Sequence, residues 1–123
     1  MHALKDKPIE HRKSQRYLLE DFGEVVIPET GEYFGCYIYN FSTGGLMVYL
    51  NHDFKEGEVF HIKFTVGEKT FERDCIVRAC RNFTHNQKYV MQIGKSLNVS
   101  FRVNVEFKES LSDEDVKYIN QNH

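Results

Sequence analysis

The stretch from Glu58 to Val66 has the cleanest alternation of apolar and polar side chains in the chain. Four of its apolar residues share one face of an extended chain, and they are Phe60, Ile62, Phe64 and Val66. This two-residue period predicts a β-strand with one face in a hydrophobic core and the other in water. A lone strand is not stable in water, so the chain must form further strands that pair with this one.

Other stretches of the chain also have the composition of short strands, and turn residues separate them. The predicted strands cover residues 22–28, 33–41, 46–50, 58–66 and 70–81, then 88–94 and about 99–107. The 10 Phe and 7 Tyr residues support these strands, because aromatic side chains fit the half-buried surface of a sheet. In the second strand, strict alternation groups four residues on one face: Phe34, Cys36, Ile38 and Asn40.

The C-terminal segment has a different period. Ser112 to Asp115 is similar to a capping box, with acidic residues in the first helical turn. We predict a helix over about residues 113–120, with Val116 and Ile119 packed against the strands. Several short strands followed by one helix predict a mainly β fold, a small antiparallel barrel with a C-terminal α-helix.

The charge of the chain is unevenly distributed along its length. Residues 1–16 carry five basic and two acidic side chains, a net charge of +3, which leaves −5 for the rest of a chain whose total is −2. An overall basic DNA- or RNA-binding protein is therefore disfavoured, while a basic arm that meets a small anionic ligand fits. We predict a flexible N-terminal arm over residues 1–20 and a barrel with its helix over residues 21–123.

Patterns typical of export, membrane insertion, metal binding and catalysis are not found in the sequence. We therefore expect a cytoplasmic protein that is not an enzyme and has no metal and no cofactor. The chain has an odd number of cysteines, Cys36, Cys75 and Cys80, and no two of them have the close spacing of a metal-binding pair. We therefore expect free, partly buried thiols. His61 falls on the polar face of its strand, where we expect it to be solvated.

Two short motifs lie on either side of the first predicted strand. Arg12 to Arg16 has the pattern RxxxR and precedes that strand. Asn40 to Gly45 has the pattern NxSxxG and ends the second strand. Each pattern alone is easily found by chance, but their order and their positions around one strand make a specific joint signal.

Together the two motifs resemble the signature of the PilZ family. Residues 75–78, 105–107 and 111–119 also resemble family segments, so the likeness covers about residues 10–120. The resemblance implies a six-stranded antiparallel β-barrel of PilZ type with a C-terminal α-helix. It also implies a receptor for cyclic di-GMP, in which ligand orders the N-terminal arm and alters a surface that a protein partner recognises.

The resemblance assigns five residues to cyclic di-GMP, and their chemistry suits its two guanines and two phosphates. The forked guanidinium groups of Arg12 and Arg16 can grip a phosphate or a guanine edge. Asn40 and Ser42 lie two apart on a strand and so share a face, and the Asn40 amide can both donate and accept. Gly45 would allow a positive φ or a close approach of ligand. The same residues also have simpler interpretations. The two arginines could be solvated charge, Asn40 and Ser42 could cap a turn, and Gly45 could be an ordinary hairpin glycine.

Two alternatives stay open at the level of sequence. A PilZ-like adaptor would bind a protein partner without nucleotide, although both motifs are intact here. An oligonucleotide-binding barrel is opposed by the acidic body of the chain and by the lack of basic and aromatic strand faces. Residues 82–100 form a longer segment than the family needs, which fits an extra hairpin, a partner surface or an oligomer contact. Its apolar residues also fit a core position, and they are Tyr89, Val90, Met91 and Ile93.

Overall fold

The computed structural model describes residues 15–82 and 99–123. These residues form six strands and a helix, in chain order β1 (Tyr17–Val26), β2 (Tyr33–Ser42), β3 (Gly45–Leu50), β4 (Val59–Val66), β5 (Lys69–Asn82), β6 (Phe101–Phe107) and α1 (Asp113–Asn122). The strands close into a barrel in the order β1–β2–β3–β6–β5–β4, and every neighbouring pair is antiparallel. The predicted fold class is confirmed. Within the described ranges, no helix has the length and apolar character that crossing a membrane requires.

The first strand is the element whose predicted bounds differ most from the structure. β1 begins at Tyr17, so residues 17–20, which were predicted to belong to the arm, lie in the barrel. The apolar period is broken here by a β-bulge, in which Leu19 and Glu20 together oppose a single residue of β2. Glu20 adopts a φ of 51°, a left-handed conformation that a strand pattern does not anticipate. The predicted strand at 88–94 lies outside the described residues.

The interior of the barrel is filled by the apolar faces of its strands. Phe60, Ile62, Phe64 and Val66 are all at most 3% exposed, which confirms the alternation found in the sequence. Fully burying a side chain of this size contributes about 1.5–3 kcal/mol relative to leaving it in water. The strand with the clearest sequence pattern is therefore one of the main contributors to the core.

The C-terminal helix begins with the predicted capping box. The Asp115 amide donates to Ser112 Oγ at 3.0 Å, and the Ser112 amide donates to Asp115 Oδ2 at 3.4 Å. Ile119 is fully buried and Val116 packs against the barrel core, as predicted. The Glu68 amide in the β4–β5 turn donates to the Tyr118 hydroxyl at 3.1 Å, which fixes the helix against that turn.

We expect Ser112→Ala to lower the free energy of unfolding by about 1 kcal/mol, because the substitution removes the side-chain acceptor for the first turn of the helix. Urea denaturation followed by far-ultraviolet circular dichroism measures the change. Ser110→Ala is the matched control, since Ser110 is exposed and precedes the cap. Equal stability of the two variants would show that the cap does not stabilise this helix.

Candidate functional site

The two sequence motifs meet where β1 begins and β2 ends. Asn40 on β2 pairs with Leu18 on β1, which brings it beside Arg16 just ahead of the strand. Arg16 Nη1 donates a hydrogen bond to Asn40 Oδ1 at 2.9 Å, across 24 positions of sequence. Arg12 lies outside the described residues. Arg16 is therefore the described member of the RxxxR motif, and it contacts the second motif.

A bulge at Tyr39 decides which way Asn40 points. Ile38 pairs with Val48 on β3, and Asn40 pairs with the next β3 residue, Met47, so Tyr39 is an extra residue in β2. Ile38 and Phe41 both belong to the barrel core, although strict alternation would put them on opposite faces.

The predicted grouping of Asn40 with Phe34, Cys36 and Ile38 is therefore wrong. The extra residue reverses the alternation, so Asn40 lies on the outer face of the barrel. Bulges are common beside functional sites because they redirect a side chain in this way.

Gly45 has a structural role that the sequence did not reveal. Among the described glycines, positive φ angles occur at Gly31, Gly57 and Gly67, so a positive φ, one of the two roles considered for Gly45, is not found. A Cβ atom built on Gly45 would overlap the backbone carbonyl oxygen of Val105. Glycine is thus needed for the close approach of β3 to β6, and the space around Gly44 is open by comparison.

A concave surface of about 280 Å³, the Arg16 cleft, lies on the outside of the barrel at this end. It is lined by Arg16, Ser42, Gly44, Gly45, Arg78, Asn104, Val105 and Glu106. Four of the five residues predicted for the site therefore lie in or beside one cleft, with Asn40 joined to it through Arg16. Ser42 is 3% exposed and pairs with Gly45 across the tight turn between β2 and β3.

Sequence reasoning missed three polar or charged side chains of the cleft: Arg78, Asn104 and Glu106. The alternation of β6 could have identified two of them, because Val103 and Val105 face the core and Asn104 and Glu106 therefore face outward. Their place beside Gly45 could not be predicted, because it depends on the pairing of β3 with β6, Gly45 opposite Glu106. That pairing joins strands far apart in sequence.

The charges in the cleft favour an anion. Arg78 Nε donates to Glu106 Oε1 at 2.7 Å, and both side chains are about half exposed. An exposed ion pair of this kind contributes only about 0–1 kcal/mol, so an anionic ligand can compete for Arg78 at small cost. Two guanidinium groups, those of Arg16 and Arg78, face one carboxylate, which leaves the lining with a single positive charge.

Two larger concavities lie elsewhere on the described part of the barrel. One of about 410 Å³ crosses β1, β2 and β4 and includes Glu24 and Lys63, whose charges balance. The other, of about 380 Å³, lies against Phe54 and Pro28. Neither contains a residue of the two motifs, so size alone does not identify the site, and the Arg16 cleft is the candidate.

The cysteines are free thiols, as predicted. Burial raises the pKa of Cys36 and of Cys75 to about 12, which keeps both thiols protonated and unreactive at neutral pH. Cys80 is partly exposed, and partial burial raises its pKa as well. In residues 15–82 and 99–123, no group of three or more His, Cys, Asp or Glu side chains could hold a metal ion.

His61 lies on the outer face as predicted, but it is paired with acidic side chains and is not simply solvated. Its Nδ1 lies 3.0 Å from Asp74 Oδ1, and its Nε2 lies 2.9 Å from Glu72 Oε1. These hydrogen bonds, above all that to Asp74, raise the pKa of His61 above its usual value of 6.5. The strand pattern did not reveal the pair, because it depends on the register of β4 against β5.

We expect the stabilising effect of His61 to depend on pH. The raised pKa means that the folded protein holds the proton more tightly, so this contribution is complete below about pH 6.5 and is lost as the pH rises through the folded pKa. The free energy of unfolding of wild type, relative to His61→Gln, should therefore fall as the pH rises from about 6.5 through the raised pKa of His61. Urea titrations of both proteins across this range measure it, and parallel curves would contradict the expectation.

Comparison with known proteins gives one family and a set of similar folds. The PilZ domain model matches residues 10–121. No curated protein sequence matches the chain. The solved structures that match include the complex of K. pneumonia MrkH with c-di-GMP, with a TM-score of 0.61 and 15% identity over 89% of this chain and 49% of that one. They also include the PilZ domain of Escherichia coli YcgR with c-di-GMP, with a TM-score of 0.52 and 15% identity over 88% of this chain and 84% of that one.

A second structure of MrkH, described as a c-di-GMP-dependent transcription regulatory factor, has a TM-score of 0.58 and 14% identity. It is matched over 89% of this chain and 48% of its own length. The chain therefore spans about half the length of the MrkH structures that it matches. At these identities the likeness establishes a shared barrel fold.

Proposed function

The chain belongs to the PilZ domain family, and from this premise we propose that it is a receptor, not an enzyme, that binds cyclic di-GMP at the Arg16 cleft. The proposed ligand-binding residues are Arg12, Arg16, Asn40, Ser42 and Gly45. MrkH and YcgR, which share the barrel fold, both have structures with c-di-GMP, and this is consistent with the same ligand class.

The observation that carries the proposal is the hydrogen bond from Arg16 to Asn40 at 2.9 Å. The contact joins the two motifs on the outer face of the barrel, beside a cleft whose lining has a net positive charge. If the N-terminal segment were only solvated charge, nothing would require the guanidinium group of Arg16 to hydrogen bond to the side-chain amide of Asn40. A pre-positioned guanidinium loses less conformational entropy when it binds a phosphate or a guanine.

The roles of the five residues follow from their positions and chemistry. Arg16 would grip a phosphate or a guanine edge, and Asn40 would hold the guanidinium in place while it contacts the ligand. Ser42 would offer its hydroxyl at the floor of the cleft. Gly45 would act by letting β3 approach β6, which sets the shape of the cleft. Because about 280 Å³ is below the usual range for drug-sized ligands, we assign Arg12 to the part of the ligand that extends beyond the cleft.

The signal itself is proposed to pass through the N-terminal segment. Ligand would draw Arg12 towards the cleft, and the surface formed in this way would be recognised by a protein partner. Ordering backbone costs about 1–2 kcal/mol per residue, which several charge-assisted hydrogen bonds of about 1.5–3 kcal/mol each can offset. Hydrogen exchange of residues 1–16 with and without cyclic di-GMP tests this step, and unchanged exchange on saturation would contradict it.

Calorimetric titration of the protein with cyclic di-GMP tests the receptor function directly, with GTP as the control for general guanine nucleotide binding. Saturable heat with cyclic di-GMP and none with GTP is the expected result, and it also gives the number of ligands bound per chain. A folded protein that shows no binding heat and no thermal stabilisation by the ligand would overturn the proposal. The adaptor that binds a protein partner without nucleotide would then become the better hypothesis.

A further inference from the structure

A row of three side chains crosses the outer face of the barrel beside the Arg16 cleft. Asn40 on β2 pairs with Met47 on β3, and Met47 pairs in turn with Asn104 on β6. Directly opposed residues on neighbouring strands have Cβ atoms about 4.5–5.5 Å apart. Two amide groups therefore flank one thioether, on the face that carries both motifs.

The two amides differ in how their oxygen atoms are satisfied. Asn40 Oδ1 accepts from Arg16. Asn104 Oδ1 is buried, and within the described part of the chain it accepts no hydrogen bond. A buried acceptor without a donor destabilises a protein, so its retention at the edge of a cleft requires an explanation. A residue kept for folding alone would be expected to have its acceptor paired.

The neighbours of Asn104 on β6 determine which way its side chain points. Val103 and Val105 are buried in the core on either side of it, so its side chain points to the outer face and lines the Arg16 cleft. The torsion that orients an amide is broad, so a small rotation can bring the acceptor towards an incoming donor. A donor-bearing ligand in the cleft would satisfy the atom that the free protein leaves unpaired.

We propose that Asn104 is a specificity-determining residue that accepts a hydrogen bond from the 2-amino group of a guanine bound in the Arg16 cleft. The inference rests on the proposed function and extends it to one atom of the ligand. Guanine carries an amino donor on the edge where adenine has none, so an acceptor in the cleft favours guanine. Met47 supplies an apolar, polarizable contact for the base between the two amides.

This contact is tested by measuring the affinities of wild type and an Asn104 variant for two ligands, one with the 2-amino groups and one without them. Asn104→Leu removes the amide at nearly constant shape, and cyclic di-IMP is cyclic di-GMP without the two 2-amino groups. We expect Asn104→Leu to weaken cyclic di-GMP binding about 10-fold, the effect of one hydrogen bond, and to change cyclic di-IMP binding by less than about 2-fold. Asn104→Ala should give the same pattern, and Asn51→Leu, in the exposed loop after β3, is the control that keeps wild-type affinity.

Thermal unfolding without ligand separates a contact with the ligand from a structural role. Removing an unpaired buried acceptor should leave the unfolding midpoint of Asn104→Leu equal to or above that of wild type, while affinity falls. Wild-type affinity in Asn104→Leu, or equal losses for both ligands, would overturn this inference alone, because wild type would still bind cyclic di-GMP. Failure of wild type to bind either ligand would overturn the proposed function, and this inference with it.

Discussion

An Arg16→Ala variant is expected to bind cyclic di-GMP about 100-fold more weakly than wild type. Arg16 is the residue of the RxxxR motif that the fold sets beside the cleft, with its guanidinium held on Asn40. One or two charge-assisted hydrogen bonds of about 1.5–3 kcal/mol each would be lost, and about 2.7 kcal/mol corresponds to 100-fold in affinity. Calorimetric titration measures the loss, and circular dichroism verifies that the variant is folded.

Two further variants separate the geometry of Arg16 from its charge. Arg81→Ala removes the same side chain from an exposed position on β5 outside the cleft, and it should bind as wild type does. Arg16→Lys keeps the charge and loses the planar fork, so its affinity should fall between those of wild type and Arg16→Ala. If Arg16→Ala and Arg81→Ala lose affinity equally, the effect is one of overall charge, and Arg16 has no specific role.

A Gly45→Ala variant is expected to be much less stable than wild type, with a free energy of unfolding lower by about 3 kcal/mol. The added methyl group would overlap the carbonyl oxygen of Val105. Gly45 and Val105 lie on neighbouring paired strands that close the barrel, so neither backbone can move away freely. For a chain of 123 residues this corresponds to a fall of about 10–15 °C in the unfolding midpoint. Thermal unfolding followed by circular dichroism measures the shift.

The adjacent glycine provides the matched control. A Cβ on Gly44 would meet nothing within 4 Å, so Gly44→Ala should change stability by less than about 0.5 kcal/mol. Ligand binding by folded Gly45→Ala at low temperature is also informative, because it shows whether the shape of the cleft depends on this close approach. Wild-type stability in Gly45→Ala would show that β3 and β6 can separate without cost, and the structural role assigned to this glycine would be wrong.

Much of the fold could be predicted because its signals are local. Alternation over 58–66 placed Phe60 and Phe64 in the core, and Ser112 and Asp115 form the predicted capping box. Each of these features depends on residues a few positions apart, where period and capping chemistry act directly. The joint occurrence of the two motifs also indicated the family, which the match to residues 10–121 establishes.

The remaining features depend on how strands pair with one another, which the residue pattern within a single strand does not encode. The bulge at Tyr39 depends on how β2 meets β3, and the bulge near Glu20 on how β1 meets β2. The need for glycine at position 45 arises from the backbone of β6, some 60 residues away. Asn104 enters the cleft through the same pairing, so the residues around it in sequence gave no sign of its place there.

The extra residue at Tyr39 makes the candidate site depend on strand register as well as on chemistry. If β2 paired with β3 without this bulge, plain alternation would turn Asn40 and Ser42 into the barrel and turn Phe41 out to water. Both motifs would still be legible in the sequence, yet the amide would no longer meet Arg16. Among relatives of this chain that keep one residue between the last core position of β2 and the NxSxxG motif, we therefore expect working sites only where the bulge is also kept, even where every motif letter is retained.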